Sequence, residues 1–445
     1  MYRRIKVAAA VMLVCALGGC GGGGGGSDAA DTHGSRTPSG DAKATPDVPR
    51  LAVPAAFDGT KGWVQSPAPK GTVAVAPTAG LAVTVTKAAD GYVLKAKDLG
   101  TGAVRWSTKP WWPFDSVRGE LPSPEVVTTG GKDYVALSIS GTPGEDALTN
   151  SKPTVRIAIY PADSSGDALT PVRTVDIPAA EPNALPSAQG AQLVYFGDQQ
   201  AVTAVDVVSG KTTSYADDAL KAPDSSACWG CGHGIRTAGI TSRGPLVQGD
   251  KPYHFWVPGA WYGDSNVPHG AEAPGNLDMA KILGTVDDLV IAGWPAAGDE
   301  TGPRVWAVHE ASTGKVKASA TCASEVGNPG GSNPQDIHPA LSADHRYLVD
   351  GVLAFDLTTG KGHCSSGTAD KKEAVFTAVD NDGTAYGHTV AANAGSTSPV
   401  SLSISTGTAA PLPSGTKVPT LILKDQAVYI GEDGDAYSVV VYPRR

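Results

Sequence analysis

The chain has 445 residues and a formal net charge of −9, with 55 Gly and 34 Pro. An acidic chain without a Lys/Arg run is a poor match for nucleic acid or anionic lipid surfaces, which recruit clustered cations. The Gly and Pro content fits an all-β chain broken by frequent turns. Past residue 20, no segment is apolar enough to cross a membrane.

The first element in chain order is an address. Arg3, Arg4 and Lys6 precede an apolar stretch, residues 7–17, too short to span a bilayer as a helix. It closes on Leu17-Gly18-Gly19-Cys20, which resembles the lipobox of bacterial lipoproteins. The resemblance implies a signal peptide at 1–19, cleavage before Cys20 and a lipid on that residue. The chain would then be anchored in the cell membrane, facing the extracytoplasmic side. Loss of Arg3, Arg4 and Lys6 takes the net charge from −9 to −12. Residues 20–50 are mostly Gly, Ser, Asp, Thr, Ala and Pro, too poor in apolar surface to offset their ordering entropy, and read as a flexible tether. Residues 51–445 form the folded domain.

Within that domain a short apolar run leads repeatedly into a polar turn centred on Gly. The clearest copies are Asp98-Leu99-Gly100-Thr101-Gly102, Glu310-Ala311-Ser312-Thr313-Gly314 and Asp356-Leu357-Thr358-Thr359-Gly360. A strand-turn-strand period of roughly 40–50 residues is the signature of a β-propeller. The strongest unit reads as a half-buried alternating strand at 81–86, a turn at Asp90-Gly91, a strand at 92–97, a turn at 100–102 and a last strand at 104–106. Further units trace near 123–177, 183–216, 234–264, 280–320, 336–366 and 373–412.

The pattern Asp-Gly-Tyr…Asp-x-x-Thr-Gly-x-x-x-Trp, ending at Trp106, resembles the repeat of the quinoprotein-like (PQQ-like) β-propeller family. The resemblance implies a Gly at positive φ in the turn and a Trp packed between neighbouring blades. The C-terminal strands, near 420–423, 427–430 and 436–442, lack a fourth partner. Residues 57–64, with Gly62-Trp63, resemble the missing turn and outer strand. The expectation is therefore an all-β, single β-propeller of eight four-stranded blades, with seven as the alternative because 217–280 is poorly patterned. The ring closes by pairing N- and C-terminal strands, which removes two edges.

Loop lengths separate the two faces. The turns between first and second, and third and fourth, strands are short. The long insertions join second to third strands or cross between blades, and both emerge on one face. That face carries the candidate ligand-binding residues. Trp111, Trp112 and Phe114 offer three aromatics in one loop, as a stacking platform or as inter-blade packing. Trp229 lies inside Cys228-Trp229-Gly230-Cys231. His269 and Glu272, with Asp264 and Asp278, form an acidic crossing that reads as a calcium or base site, or as a solvated loop. Trp256, Trp261 and Tyr262 are expected in strands.

In an oxidising compartment Cys228–Cys231 reads as a local disulfide, and the spacing places Cys322 and Cys364 on adjacent blades for a second. Asp380-Asn381-Asp382-Gly383 starts like a calcium loop but lacks its closing Glu, and reads as a hairpin turn. No metal site and no catalytic residue is assigned. The preferred function is a lipid-anchored binding module for a protein, peptide or envelope glycan. The alternatives are an envelope assembly scaffold and a quinone-dependent dehydrogenase. The family resemblance implies, for the latter, PQQ held by calcium, adjacent cysteines and a stacking Trp. This chain has no adjacent Cys pair.

Overall fold

The strands pair almost entirely with their sequence neighbours, in antiparallel meanders of four. In a computed structural model this is seen for residues 50–445, apart from 70–71, 115, 118–121, 145–151, 180–184, 198–200, 223–234, 250–253, 274–280, 324–338, 391–396 and 434–435. Among the described residues the sheets resolve into eight such meanders. Meanders 1 to 7 span 73–108, 124–178, 187–215, 236–262, 281–322, 340–364 and 374–411. Meanders 5 and 6 join into one sheet by a single parallel pair, Ser319 with Lys361. The only described helical segments are 3-10 turns at Asp217–Leu220 and Gly263–Asn266.

Meander 8 closes the ring. Its first three strands come from the C-terminus (Leu421–Ile422, Gln426–Asp433, Ala436–Pro443) and its outermost is the N-terminal strand Trp63–Pro69. Trp63 pairs with Val441 and Gln65 with Val439. A bridge from Phe57 to Arg444 extends the seam, and Arg444 binds the carboxylate of Asp380 in meander 7. The expected closure is thus present, and it makes folding of the first and last strands interdependent.

Each meander is apolar on both faces, because each face packs on a neighbour. The strand Leu81–Ala88 shows it: Leu81, Val83 and Val85 pack toward meander 2, while Ala82 joins the cluster around Trp63, Val428 and Val441 of meander 8. The half-buried alternation expected for 81–86 is therefore replaced by burial of both faces over 81–85. The hairpin that follows turns at 89–90, one residue earlier than expected. Gly91 then enters the next strand at φ 145°, with Trp111 backbone where a Cβ would stand.

The Asp-x-x-Thr-Gly repeat is the turn between third and fourth strands. Asp98 Oδ1 accepts hydrogen bonds from the Thr101 amide (3.0 Å) and hydroxyl (3.0 Å), and the Gly102 amide donates back to the Asp98 carbonyl (2.7 Å). Asp206 and Asp356 hold their turns the same way. The closing Gly residues 102, 210, 314, 360 and 407 all lie near φ 70–77°, a region other residues enter at a cost of roughly 1–2 kcal/mol.

Candidate functional site

The first strand of each meander is innermost, and the turns that follow these strands converge around an axial cavity of about 1040 Å³. All eight meanders contribute to its wall. Meander 1 supplies Pro77 and Thr78, meander 2 Thr128, and meander 3 the turn from Gln189 to Gln192. Meanders 4 and 5 add Ile240 to Ser242 and Val286 to Asp288. Meander 6 presents Pro339 to Ala343 with His345, meander 7 Thr377 and His388, and meander 8 the segment from Val418 to Lys424.

Hydrogen bonds between neighbouring turns hold this rim. The Ala79 amide donates to Asp133 Oδ2 (2.8 Å), joining meanders 1 and 2. The Ala188 amide donates to Glu125 (3.0 Å) and the Ile240 amide to Gln189 Oε1 (3.0 Å), carrying the chain of contacts to meander 4. The Ser242 amide reaches Asp288 Oδ1 (3.2 Å) in meander 5. His345 Nδ1 lies 2.9 Å from Asp287 Oδ2, and the Asp344 amide donates to Asn381 (3.1 Å) in meander 7. Burial pushes the Glu125 carboxyl up, opposed by the Ala188 amide. Asp287 (φ 48°) and His345 (φ 57°) both adopt the left-handed region that side chains disfavour, a strain that concentrates at functional sites. His388 is held below its ordinary imidazole value, first by burial and then by Lys417.

The residues expected on the long-loop face have diverse fates. Trp111 pairs by backbone with Tyr92 (3.0 and 2.9 Å) and is half-buried. Trp112 is 42% exposed, stacks on Tyr92 at 5.4 Å and lies under Lys87. Phe114 is buried, with Gly141 against one side and the Arg156 guanidinium 4.9 Å from its ring. Of the three, Trp112 alone keeps a face open to solvent; Phe114 serves the core because only a glycine opposes it. His269 is exposed and Glu272 half-buried, its amide donating to the Pro295 carbonyl (3.2 Å). Asp264 turns instead to the buried His254, 2.7 Å away, beside Tyr262, whose hydroxyl is pushed up by burial and then by that carboxylate. Trp229, Cys228, Cys231, Asp278 and Cys20 lie outside the described residues.

Cys322 and Cys364 form the expected disulfide, with Cα atoms 5.5 Å apart, across the outer strands of meanders 5 and 6. Trp256 and Trp261 are buried in strands. The Asp380–Gly383 turn is a hairpin, its acids paired with the Arg444 guanidinium. Among the described residues, no three His, Cys, Asp or Glu groups converge as metal ligands.

The cavity rim itself escaped sequence reading. Its residues are ordinary Thr, Gln, Ser and Pro, one to several per turn, drawn from the whole length of the chain; a left-handed Asp or His carries no sequence mark.

Four-stranded antiparallel meanders ranged around an axis and sealed by a strand from the opposite terminus define a β-propeller. Solved structures of similar architecture include the Myceliophteria thermophila Cps50 (Swd1) β-propeller domain, with TM-score 0.38 and 9% identity over 86% of this chain and 100% of that one. An uncharacterized protein from Listeria monocytogenes EGD-e aligns with TM-score 0.36 and 9% identity over 81% and 90%. The Dos1 propeller aligns with TM-score 0.38 and 8% identity over 86% and 94%. No family model and no curated protein matches the sequence. The class rests on the strand order above rather than on these likenesses.

Proposed function

We propose that this protein is a lipid-anchored, extracytoplasmic binding module that captures its ligand at the axial cavity. The observation that supports it is the cavity, about 1040 Å³ and lined by residues of every meander. That volume matches a small-molecule or short-peptide site, and the rim is braced by bonds between neighbouring turns. The anchor rests on the resemblance of Leu17-Gly18-Gly19-Cys20 to a lipobox.

The cavity wall contains no Trp, Tyr or Phe among the described residues. Sugar and quinone rings are held chiefly on aromatic faces, so a peptide or aliphatic ligand fits better than a glycan. The same wall gives PQQ no ring to stack on, the described residues offer no convergent calcium ligands, and the chain lacks adjacent cysteines. The residues present do not fit that cofactor.

The anchor is tested by fractionation and intact-mass measurement of the full chain in a bacterium that processes lipoproteins. The expected result is a membrane-bound product starting at a diacylated Cys20, and release of Cys20→Ser into the soluble extracytoplasmic fraction. An unlipidated chain that stays in the membrane fraction after the substitution would remove the anchor from the proposal.

A further inference from the structure

We propose that the axial cavity takes an aliphatic ligand bearing an ammonium group, its chain against the wall of meanders 6 and 8 and its charge at Asp288. This assignment rests on the reading of the cavity as a ligand site and adds the ligand class.

Two features of the wall carry it. On one side Leu341, Val418, Pro419, Leu421 and Leu423 present an apolar surface, and four of the five remain only half-buried. Leu341, Val418, Leu421 and Leu423 pack one side on the inter-meander core, and the part left uncovered gains stability when a ligand's hydrocarbon covers it. Its inner strands are short, Ala340–Leu341 and Leu421–Ile422.

Asp288 supplies the second feature. It is half-buried on the turn of meander 5, and one carboxylate oxygen accepts from the Ser242 amide at 3.2 Å. No Lys, Arg or His lies within ion-pair distance of it among the described residues. The other titratable groups on the wall do not neutralise it. Asp287 holds His345, His388 is depressed toward its neutral form, and Lys424 is exposed on meander 8, three meanders away around the ring. A carboxylate in a walled cleft focuses its field on an incoming cation. With no aromatic ring in the wall, recognition of that cation falls to the carboxylate rather than to a cation–π cage.

An apolar peptide carrying Lys or a free N-terminus has this chemistry, and so does a simple alkylamine. The test is calorimetric titration of the full chain, in detergent at pH 7, with hexylamine, hexan-1-ol and hexanoate, and with acetyl-Leu-Lys-Leu-amide against acetyl-Leu-Gln-Leu-amide. The ammonium probes should bind about tenfold more tightly than their neutral partners, the gain expected of one charge-assisted contact, and hexanoate more weakly than either. Asp288→Asn should bring amine and alcohol within twofold while still binding the alcohol, which shows that the variant is folded. Tighter binding of the Lys peptide than of hexylamine assigns the ligand to peptides; the reverse order assigns it to free amines. Equal binding of amine and alcohol by the wild type, or a preference that survives Asp288→Asn, overturns the ammonium assignment and leaves the cavity a ligand site. Absence of binding by every probe overturns both.

Discussion

His309 is fully buried between Trp261 (5.8 Å, near-parallel) and Trp294 (4.8 Å), and its Nδ1 bonds the Gly314 carbonyl at 2.7 Å. Burial outweighs that bond and holds the imidazole down to about 4. Asp350, at the end of Tyr347–Asp350, is buried as well, and burial alone pushes its carboxyl up to about 7. The two act on stability with opposite sign. Between pH 4 and 6.5 the unfolded chain protonates His309 and the folded one does not, so its contribution rises with pH by about 1.4 kcal/mol per unit. From pH 3.8 to 7 the folded chain keeps the Asp350 proton that the unfolded one has lost, so its contribution falls with a similar slope. In the wild type these slopes cancel near pH 5–6. Asp350→Asn should therefore stabilise the fold by a few kcal/mol at pH 8 and hardly at all at pH 4, while His309→Gln should leave stability falling from pH 4.5 to 6.5. Urea unfolding of both variants and the wild type at matched pH reads this directly. A difference between Asp350→Asn and wild type that does not change with pH would mean that Asp350 is solvated.

The recurring turn has a job beyond ending a strand. A donor on the outer strand of one meander reaches the turn of the next: Trp63 Nε1 to the Leu99 carbonyl (2.7 Å), Trp106 to Ala162 (2.9 Å), Trp261 to Ala311 (2.7 Å). Arg173 and His363 do the same at Val208 and Ile404. Trp63, Trp261 and His363 lie over the turn Gly, whereas Gly166, in the turn that Trp106 reaches, has nothing within 4 Å. A Cβ on Gly102 would stand 2.8 Å from Trp63, on Gly314 2.7 Å from Trp261, and on Gly407 2.6 Å from His363. Gly80, also left-handed at φ 65°, has nothing within 4 Å. Gly80→Ala should cost about 1 kcal/mol, the backbone term alone. Gly102→Ala and Gly314→Ala should cost about 2–4 kcal/mol, because the ring must shift or its buried hydrogen bond break. Denaturant midpoints of the three variants separate the terms; equal losses would show that the rings do not depend on the space.

This geometry explains what could be read from sequence. Asp-x-x-Thr-Gly recurs because each copy satisfies its own amides, and the Gly102 and Gly314 copies also admit a neighbour's ring. Gly62-Trp63 could be recognised as a displaced fragment of the pattern for the same reason. Leu81 to Val85 misled because alternation assumes one wet face, and an inner-ring strand has none. The cavity stayed hidden because its rim is assembled from separate turns, while loop length directed attention to the other face. Several segments expected there from the sequence, Trp229 among them, lie outside the described residues.

Around the whole ring the meander joints are not alike. Joints 8/1, 1/2, 2/3, 4/5 and 6/7 carry the donor-to-turn bond, and 7/8 is held by Arg444 on Asp380 and Asp382. Joint 5/6 uses a covalent link. There the outer strands Val316–Cys322 and Lys361–Cys364 run side by side, the Ser319 amide donates weakly to the Gly360 carbonyl (3.3 Å), and Gly362 leaves room for the Ser319 carbonyl. The Cys322–Cys364 disulfide, its ends 42 positions apart in sequence, stands in for the missing ring. On a chain-entropy account a crosslink of that span contributes about 4 kcal/mol. It also ties meander 5 to meander 6 at the joint where the outer strands themselves pair, through Ser319 and Lys361. Replacing both cysteines by Ala should lower unfolding stability by 2–4 kcal/mol. Hydrogen exchange should speed up first in those two outer strands, since they are the elements the crosslink tethers and local opening is released there. Faster exchange spread evenly over all eight meanders would show instead that the crosslink acts only on the unfolded chain. Slow exchange retained in both strands would show that their pairing holds this joint without the crosslink.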